Sequence, residues 1–267
     1  MKKNQHSFVV LAYKESPFLE DCLQSLFAQS VKSEIILATS TPNAFLEKIA
    51  KKYHLKIKIN KGEKGLAPDF NFALKQASTK YFTLAHQDDV YLPNYTQEML
   101  KNLANYPEFL IKFCDYEEIY HGLKETKIRT WTLNLLIKRL IIFFSFFFSP
   151  AITKLDAKKR FLGLGSPIPC PSVLFHRDKI TDFAFDPAFR INIDWIAWID
   201  LANREGDFLK SSKILMQHRI HAGSETTRGL QNHLRQDEDL ICFKKIWPNF
   251  LVKFFYSLYS ISYRTNS

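Results

Sequence analysis

Between residues 8 and 85 short apolar runs alternate with amphipathic segments, the pattern of βαβ units that close on a mainly parallel sheet. Phe8 to Ala12 reads as a buried strand. Ser16-Pro17 then offers a helix N-cap and a residue suited to the first turn, and Phe18, Leu19, Cys22, Leu23, Leu26 and Phe27 recur at helical spacing. Ile35 to Ala38 reads as a second strand. Thr41-Pro42 opens a second helix carrying Phe45, Leu46, Ile49 and Ala50, and Leu55 to Ile59 forms a third strand. A Gly-containing turn over 61–65 leads to a helix near Pro68 to Ala77. Tyr81 to Ala85 is the strand that runs into His86-Gln87-Asp88-Asp89, with Pro93 and Asn94 marking the restart of a helix. Ligands in open α/β sheets sit beyond the carboxyl ends of strands, so the residues after Ala12, Ala38 and Ala85 are expected to share one crevice.

A chain of 267 residues accommodates one large domain, or a catalytic domain with a modest appendage. The formal charge of +10 favours a polyphosphate, a nucleic acid or an anionic membrane surface as partner. Zinc-finger spacing, an RNP-like aromatic motif and a basic helix with heptads are all missing, so no nucleic acid is expected. Cys22, Cys114, Cys170 and Cys242 are far apart and form no C-x-x-C pair, which indicates reduced thiols. The N-terminus lacks the apolar stretch of a signal peptide, so the expected location is the cytoplasm. Residues 131–149 are strongly apolar, with the run Phe143-Phe144-Ser145-Phe146-Phe147-Phe148, but Lys138-Arg139 interrupts them and leaves a stretch shorter than the roughly 20 residues of a membrane span. Two readings stand for this segment: a helix lying in a membrane interface, and a buried core helix. The C-terminal tail has the same two readings, with Phe243, Ile246, Trp247, Phe250, Leu251, Phe254, Phe255, Tyr256 and Tyr259 set among lysines.

The acidic pair after the fourth strand points to chemistry. A nucleotide sugar carries a diphosphate whose charge must be neutralised as the sugar leaves, and a divalent ion held by one or two carboxylates does this. Asp88 and Asp89 suit that task, although an isolated Asp-Asp in a strand-to-helix loop is more often a helix cap.

The surrounding motifs, in their order and spacing, resemble the family-2 glycosyltransferases over roughly residues 7 to 227. Phe8-Val9-Val10-Leu11-Ala12-Tyr13-Lys14-Glu15 is similar to the family's first nucleotide-binding strand and Glu34-Ile35-Ile36-Leu37 to its second. Gly65 through Asn71, with Ala73-Leu74 and Ala77, resembles the segment supporting the donor pocket. Ala85-His86-Gln87-Asp88-Asp89-Val90-Tyr91-Leu92-Pro93 resembles the DxD region in its D-Q-D-D form, found in polysaccharide-assembly enzymes. The resemblance implies a GT-A, Rossmann-like α/β fold with a mainly parallel sheet flanked by helices and a helical C-terminal appendage. The implied divisions are 1–227 for the catalytic domain, with a nucleotide-binding half at about 1–115 and an acceptor half at about 116–227, and 228–267 for the extension. It also implies an inverting enzyme of hexosyltransferase type that moves a sugar from a nucleoside diphosphate to a saccharide or lipid-linked saccharide acceptor in cell-surface polysaccharide synthesis. Peripheral contact with the inner face of the cell membrane would follow.

By this resemblance Asp88 is the principal ligand of Mg²⁺ or Mn²⁺, and His221 a second one within Gln217-His218-Arg219-Ile220-His221-Ala222-Gly223-Ser224, followed by Thr226-Thr227. Arg219 stabilises the leaving group. Ala12, Tyr13, Glu15, Thr39, Asn71, His86, Gln87 and Asp88 line the nucleotide-sugar pocket. Asp194, in Asn192-Ile193-Asp194-Trp195, is the general base; the family's Glu at the preceding position is Ile193 here. Gly163-Leu164-Gly165-Ser166-Pro167 through Ser172 shapes the acceptor side. Two departures mark the chain: His86 occupies the place of the first aspartate, and Thr39-Ser40-Thr41-Pro42 replaces Asp-Asp-Gly-Ser after the second strand. They keep open a rival reading, a non-catalytic subunit that binds a partner enzyme. A nucleotidyltransferase is a more distant rival, since no Gly-rich basic first loop for a triphosphate is present.

Overall fold

The computed structural model describes residues 5–121, 126–221 and 234–260. Its first half follows the expected alternation: β1 (His6–Leu11), α1 (Leu19–Phe27), β2 (Glu34–Thr39), α2 (Ala44–Lys52), β3 (Lys56–Ile59), α3 (Leu66–Gln76) and β4 (Tyr81–His86). After β4 come β5 (Val90–Tyr91), α4 (Tyr95–Leu100), β6 (Ile111–His121), β7 (Thr126–Arg129), α5 (Leu133–Ser145), β8 (Ala151–Ile152) and α6 (Leu155–Leu162). The remaining elements are β9 (Val173–His176), α7 (Ile193–Ala202), β10 (Phe208–Ile220), α8 (Leu234–Ile246) and α9 (Asn249–Ser260).

All these strands join one sheet in the order β3-β2-β1-β4-β9-β6-β10-β5, with β7 added to β6 and β8 to β10. The run β3-β2-β1-β4 is parallel throughout, as is β6 with β10. β9 runs antiparallel between β4 and β6, and β5 antiparallel along β10. The expected division near residue 115 falls inside β6.

Strand alternation divides the core between the two faces of the sheet. Phe8 and Val10 pack with Leu23, Leu26, Leu46 and Tyr95 on one side, whereas Val9 and Leu84 pack with Phe70, Trp195, Trp198 and Phe243 on the other. Trp195 and Trp198 are wholly buried, and their indole N–H groups donate to Leu162 O (3.1 Å) and Ile168 O (3.0 Å), so neither leaves a polar atom stranded. All four cysteines are buried and free.

Several local expectations are corrected. The cap of α2 is Asn43, whose side chain accepts from Leu46 N–H at 2.9 Å, because Thr41 Oγ1 is taken by Lys14 N–H. Ser16 accepts from Phe18 N–H in a turn that precedes α1, so it is not the helix cap. Residues 131–149 join the core only in part: Leu135 of α5 and Phe146 after it are buried and Ile141 and Ile142 pack against the core, while Lys138 and Arg139 share the inward face. The C-terminal helices pack on the domain through Cys242, Phe243 and Val252, and Trp247 Nε1 donates to Gly163 O at 2.8 Å. A Cβ on Gly163 would collide with the Trp247 indole, so this glycine is required for the docking of the extension. Among the described residues no helix is long and apolar enough to cross a membrane.

Candidate active site

The register Val10↔Ala85 and Leu11↔His86 brings the loops after β1 and β4 side by side. Ala12 N–H continues the ladder to Ala38 O at 2.9 Å, which draws in the loop after β2. Gln87 ties two of these loops together: its Oε1 accepts from Tyr13 N–H (2.9 Å) and its Nε2 donates to Tyr13 O (3.1 Å). Lys14 sits in the left-handed region at φ 54°, and Thr39 Oγ1 accepts from Thr41 N–H at 3.0 Å. Tyr13 and Glu15 are exposed at the rim, while Thr39 is buried.

The acids expected after β2 are missing, but a carboxylate reaches that place from elsewhere. Asp69, in the first turn of α3, accepts from Ser40 Oγ (2.7 Å) and Asn60 Nδ2 (2.9 Å). Asn71, expected at the donor pocket, is anchored in the middle of α3. Its amide is zipped to the backbone of Phe185, accepting from the N–H at 2.7 Å and donating to the carbonyl at 2.8 Å.

The antiparallel pairing of β5 with β10, Val90↔Gln217, places residues 218–221 opposite Asp88 and Asp89. His221 Nε2 lies 3.0 Å from Asp88 Oδ2, and Arg219 Nε donates to Asp88 O at 2.7 Å. Arg219 also lies over the Phe18 ring, 4.5 Å from its centroid, in an open cleft lined further by Pro17, Asp21, Ile119, Thr126 and Ile128. Asp89 is fully buried; its Oδ1 takes Arg219 N–H at 2.9 Å and lies 3.0 Å from His218 Nδ1. Its Oδ2 and the Nε2 of His86 are buried without a hydrogen-bond partner, and Oδ2 faces His86 Nδ1 at 3.9 Å. Ligand atoms of His86, Asp88 and Asp89 all lie within 4.8 Å of one another.

Charge is balanced across this cluster. Burial acts to depress the His218 imidazole, but the Asp89 carboxylate outweighs it and pushes the pKa up to about 8. Burial likewise opposes charge on Asp88, yet the hydrogen bond from His221 and the imidazoles of His86 and His218 hold its carboxyl below the ordinary value. Asp194, in the first turn of α7, behaves oppositely: burial lifts its pKa against the opposing pull of Lys138, the Trp195 N–H, Arg235 and His86. Asp194 Oδ1 accepts from that N–H at 2.7 Å. The turn that presents it is clamped by Glu238 of α8, whose carboxylate accepts from the N–H groups of Arg190 (2.8 Å), Ile191 (2.9 Å) and Asn192 (2.7 Å).

The structure places Asp88, Asp89, His86, Arg219 and His221 together, with His218 on Asp89, and it sets Asp69 against the loop after β2 and Glu238 behind Asp194. The signal available for His218 was its place inside the segment that carries Arg219 and His221; Glu238 had none. Gly223, Ser224, Thr226 and Thr227 lie outside the described residues, as does the expected boundary at 227/228.

A GT-A sheet with an acidic loop beyond β4 defines a class, and the chain is a member of it: residues 7–160 match glycosyl transferase family 2, so the protein belongs to that family and is a glycosyltransferase. It is 27% identical over 262 residues to an uncharacterised glycosyltransferase of Rickettsia prowazekii, covering 95% of this chain and 74% of that one. A second such protein, from Rickettsia typhi, is 23% identical over 95% of this chain and 74% of its own. Among solved structures, the fold is similar to Staphylococcus aureus TarS 1-349 in complex with UDP-GlcNAc (TM-score 0.64, 14% identity, 96% of this chain and 71% of that one). It is equally similar to the mannosyltransferase PcManGT of Pyrobaculum calidifontis in complex with GDP-Man and Mn²⁺ (TM-score 0.64, 13% identity, 97% and 70%). The chain spans 65% of another form of the TarS fragment and 39% of the longer TarS chain.

Proposed function

We propose that the protein transfers a hexose, with inversion, from a nucleoside diphosphate to a saccharide or lipid-linked saccharide acceptor, as in cell-surface polysaccharide assembly. The observation that carries this reading is the cluster of ligand atoms of His86, Asp88 and Asp89 at the end of β4, in which the buried Asp89 Oδ2 makes no hydrogen bond and faces His86 Nδ1 at 3.9 Å. Leaving a buried oxygen without a hydrogen bond costs about 1–3 kcal/mol, and a cation held by the two carboxylates and the imidazole would remove that cost. Two carboxylates and one imidazole form a donor set suited to Mn²⁺ and workable for Mg²⁺, with His221 close by on Asp88. Bound there, the ion supplies charge neutralisation for the departing diphosphate.

The chain's own residues do the rest. Tyr13, Glu15, Thr39 and Ser40 with Asp69 border the nucleotide pocket, and Gln87 keeps its two walls in register. Arg219, fixed by Asp88 O and Phe18, adds positive charge on the leaving-group side. Asp194 takes the proton of the acceptor hydroxyl as its oxygen bonds to the anomeric carbon and the bond to the diphosphate breaks; its raised pKa makes it a stronger base than an ordinary carboxylate. Asn71 is a structural brace in this scheme. The structural relatives solved with UDP-GlcNAc and GDP-Man support the donor class.

The test is a panel of UDP-, GDP- and dTDP-sugars screened by thermal shift with and without Mn²⁺, followed by donor turnover. A metal-dependent shift lost in Asp88→Asn, and turnover lost by at least ~100-fold in Asp194→Asn without loss of that shift, are expected. Equal turnover in the wild type and both variants would sink the assignment.

A further inference from the structure

α5 leaves an apolar face outward, unlike a helix on a water-soluble surface. Its inner face sets two charges among apolar contacts: Lys138 Nζ donates to Tyr116 OH at 2.9 Å and Arg139 Nε to Asp115 Oδ2 at 2.8 Å, beside buried Leu135 and the half-buried Ile141 and Ile142. Its outer face is apolar. Leu136, Ile137, Leu140, Phe143, Phe144 and Phe147 recur at spacings of three and four, which places them on one stripe, and all are exposed. Trp131 before the helix is 73% exposed and Phe148 after it 97% exposed. Nothing among the described residues covers this surface, and soluble monomers rarely leave so large a contiguous apolar patch in water.

Charge decides what covers it. Residues 126–155 contain no Asp or Glu but five cations, Lys127, Arg129, Lys138, Arg139 and Lys154. Lys138 and Arg139 are paired inward; Lys127, Arg129, which lies over the Tyr120 ring, and Lys154 are exposed in the segments that flank α5 in sequence. A second copy packed here about a two-fold axis would bring these like charges together, whereas an anionic bilayer complements them and accepts the aromatic stripe at the headgroup boundary. At ~1.5 Å per residue the helix is ~20 Å long, too short to span the hydrocarbon and suited to lie in its plane.

We propose that the outward face of α5, with Trp131, Phe147 and Phe148, docks the protein on an anionic lipid surface. β7 connects this face to the site, because Thr126 and Ile128 line the cleft in which Arg219 sits. Docking so placed brings the mouth of that cleft to the lipid headgroups; this last step rests on the transfer reading and specifies the acceptor as a saccharide carried on a membrane lipid. The docking itself does not depend on it.

Sedimentation of the full chain with phosphatidylcholine vesicles, with and without phosphatidylglycerol, tests the proposal. Binding to the anionic vesicles that weakens with salt is expected, and a Phe144→Ser/Phe148→Ser double variant should bind at least ~10-fold more weakly. Lys127→Glu/Lys154→Glu should lose the preference for phosphatidylglycerol. Both replace exposed side chains, so circular dichroism and the nucleotide thermal shift should match the wild type. A chain that sediments with neither vesicle overturns the proposal, as does binding that both variants leave intact. So does a dimer seen by light scattering that the double Phe variant dissolves. Vesicle binding without any nucleotide shift would leave docking standing and refute the transfer reading instead.

Discussion

Glu238 holds the turn that presents Asp194, and its removal should loosen that turn. Its carboxylate is 3% exposed and accepts three backbone N–H groups in succession: Oε1 from Arg190, Oε2 from Ile191 and Asn192. In Glu238→Ala those donors lose their acceptor inside the protein. Each costs about 1–3 kcal/mol when left unsatisfied, and partial entry of water brings the total to ~3–5 kcal/mol. For 267 residues the unfolding entropy is about 0.56 kcal/mol per degree, so the melting temperature should fall by ~5–9 °C. Glu238→Gln is the informative control. Its single oxygen still serves Ile191 and Asn192, but its NH₂ faces the Arg190 N–H, and the loss should be held to ~1–2 kcal/mol. Urea titration of the three proteins measures the difference directly. Asp194 lies two residues beyond the clamped turn, so turnover should fall with stability in the same order. An alanine variant within ~1 kcal/mol of wild type, or a glutamine variant as damaged as alanine, would refute the reasoning.

Burial pushes the His6 pKa from 6.5 down to about 3, with its ring nitrogens paired to Ser33 Oγ and Thr83 Oγ1. The folded state holds it neutral, so its stability is intact above pH 6.5 and is lost as the pH falls towards 3, by ~5 kcal/mol at most over that window. Urea midpoints at pH 7.5 and 4.5 should therefore converge in His6→Asn, and an unchanged pH slope would count against this. Gly206 has φ +112°, and a Cβ there would strike Glu108 O and the Leu110 side chain. Gly206→Ala should cost at least ~2–3 kcal/mol in the same assay, whereas Gly62→Ala, which meets Asn60 Oδ1 at 3.4 Å, should cost less than ~1 kcal/mol. Because burial raises the Asp194 pKa, the acid limb of kcat/KM should lie above the ordinary carboxylate range, with activity rising as the pH passes through it; a limb at or below pH 4 would speak against Asp194 as the base.

The part of the fold legible in the sequence is the part built from local signals. β1, α1, β2, α2, β3, α3 and β4 each declare themselves by a period of two or of about 3.6, and all lie where those periods put them. The two caps lie two residues beyond the Ser16 and Thr41 that the sequence offers, because other bonds take those side chains: Thr41 looks like a cap until Lys14 N–H claims its hydroxyl. Past Asp89 the sheet is assembled from distant pieces. β6 carries Lys112, Asp115, Glu117 and Glu118, which disguise it as a surface segment. The structure satisfies them one by one, with Lys112 Nζ donating to Glu98 O and Lys101 O, and Glu117 accepting from Gln217 and Thr130.

The site divides along the same line. Asp88 and Arg219 are found by motif because their neighbours in sequence carry the pattern. Asp89 looked like the lesser of two acids, and what makes it the buried one is the pairing of β5 with β10, whose partners lie more than a hundred residues apart. That pairing also delivers His218, whose imidazole lies 3.0 Å from Asp89 and offsets its charge, so two adjacent carboxylates can share the site. A strand-to-strand register, invisible in any short window, thus fixes both the charge of the cluster and which oxygen is left open within it.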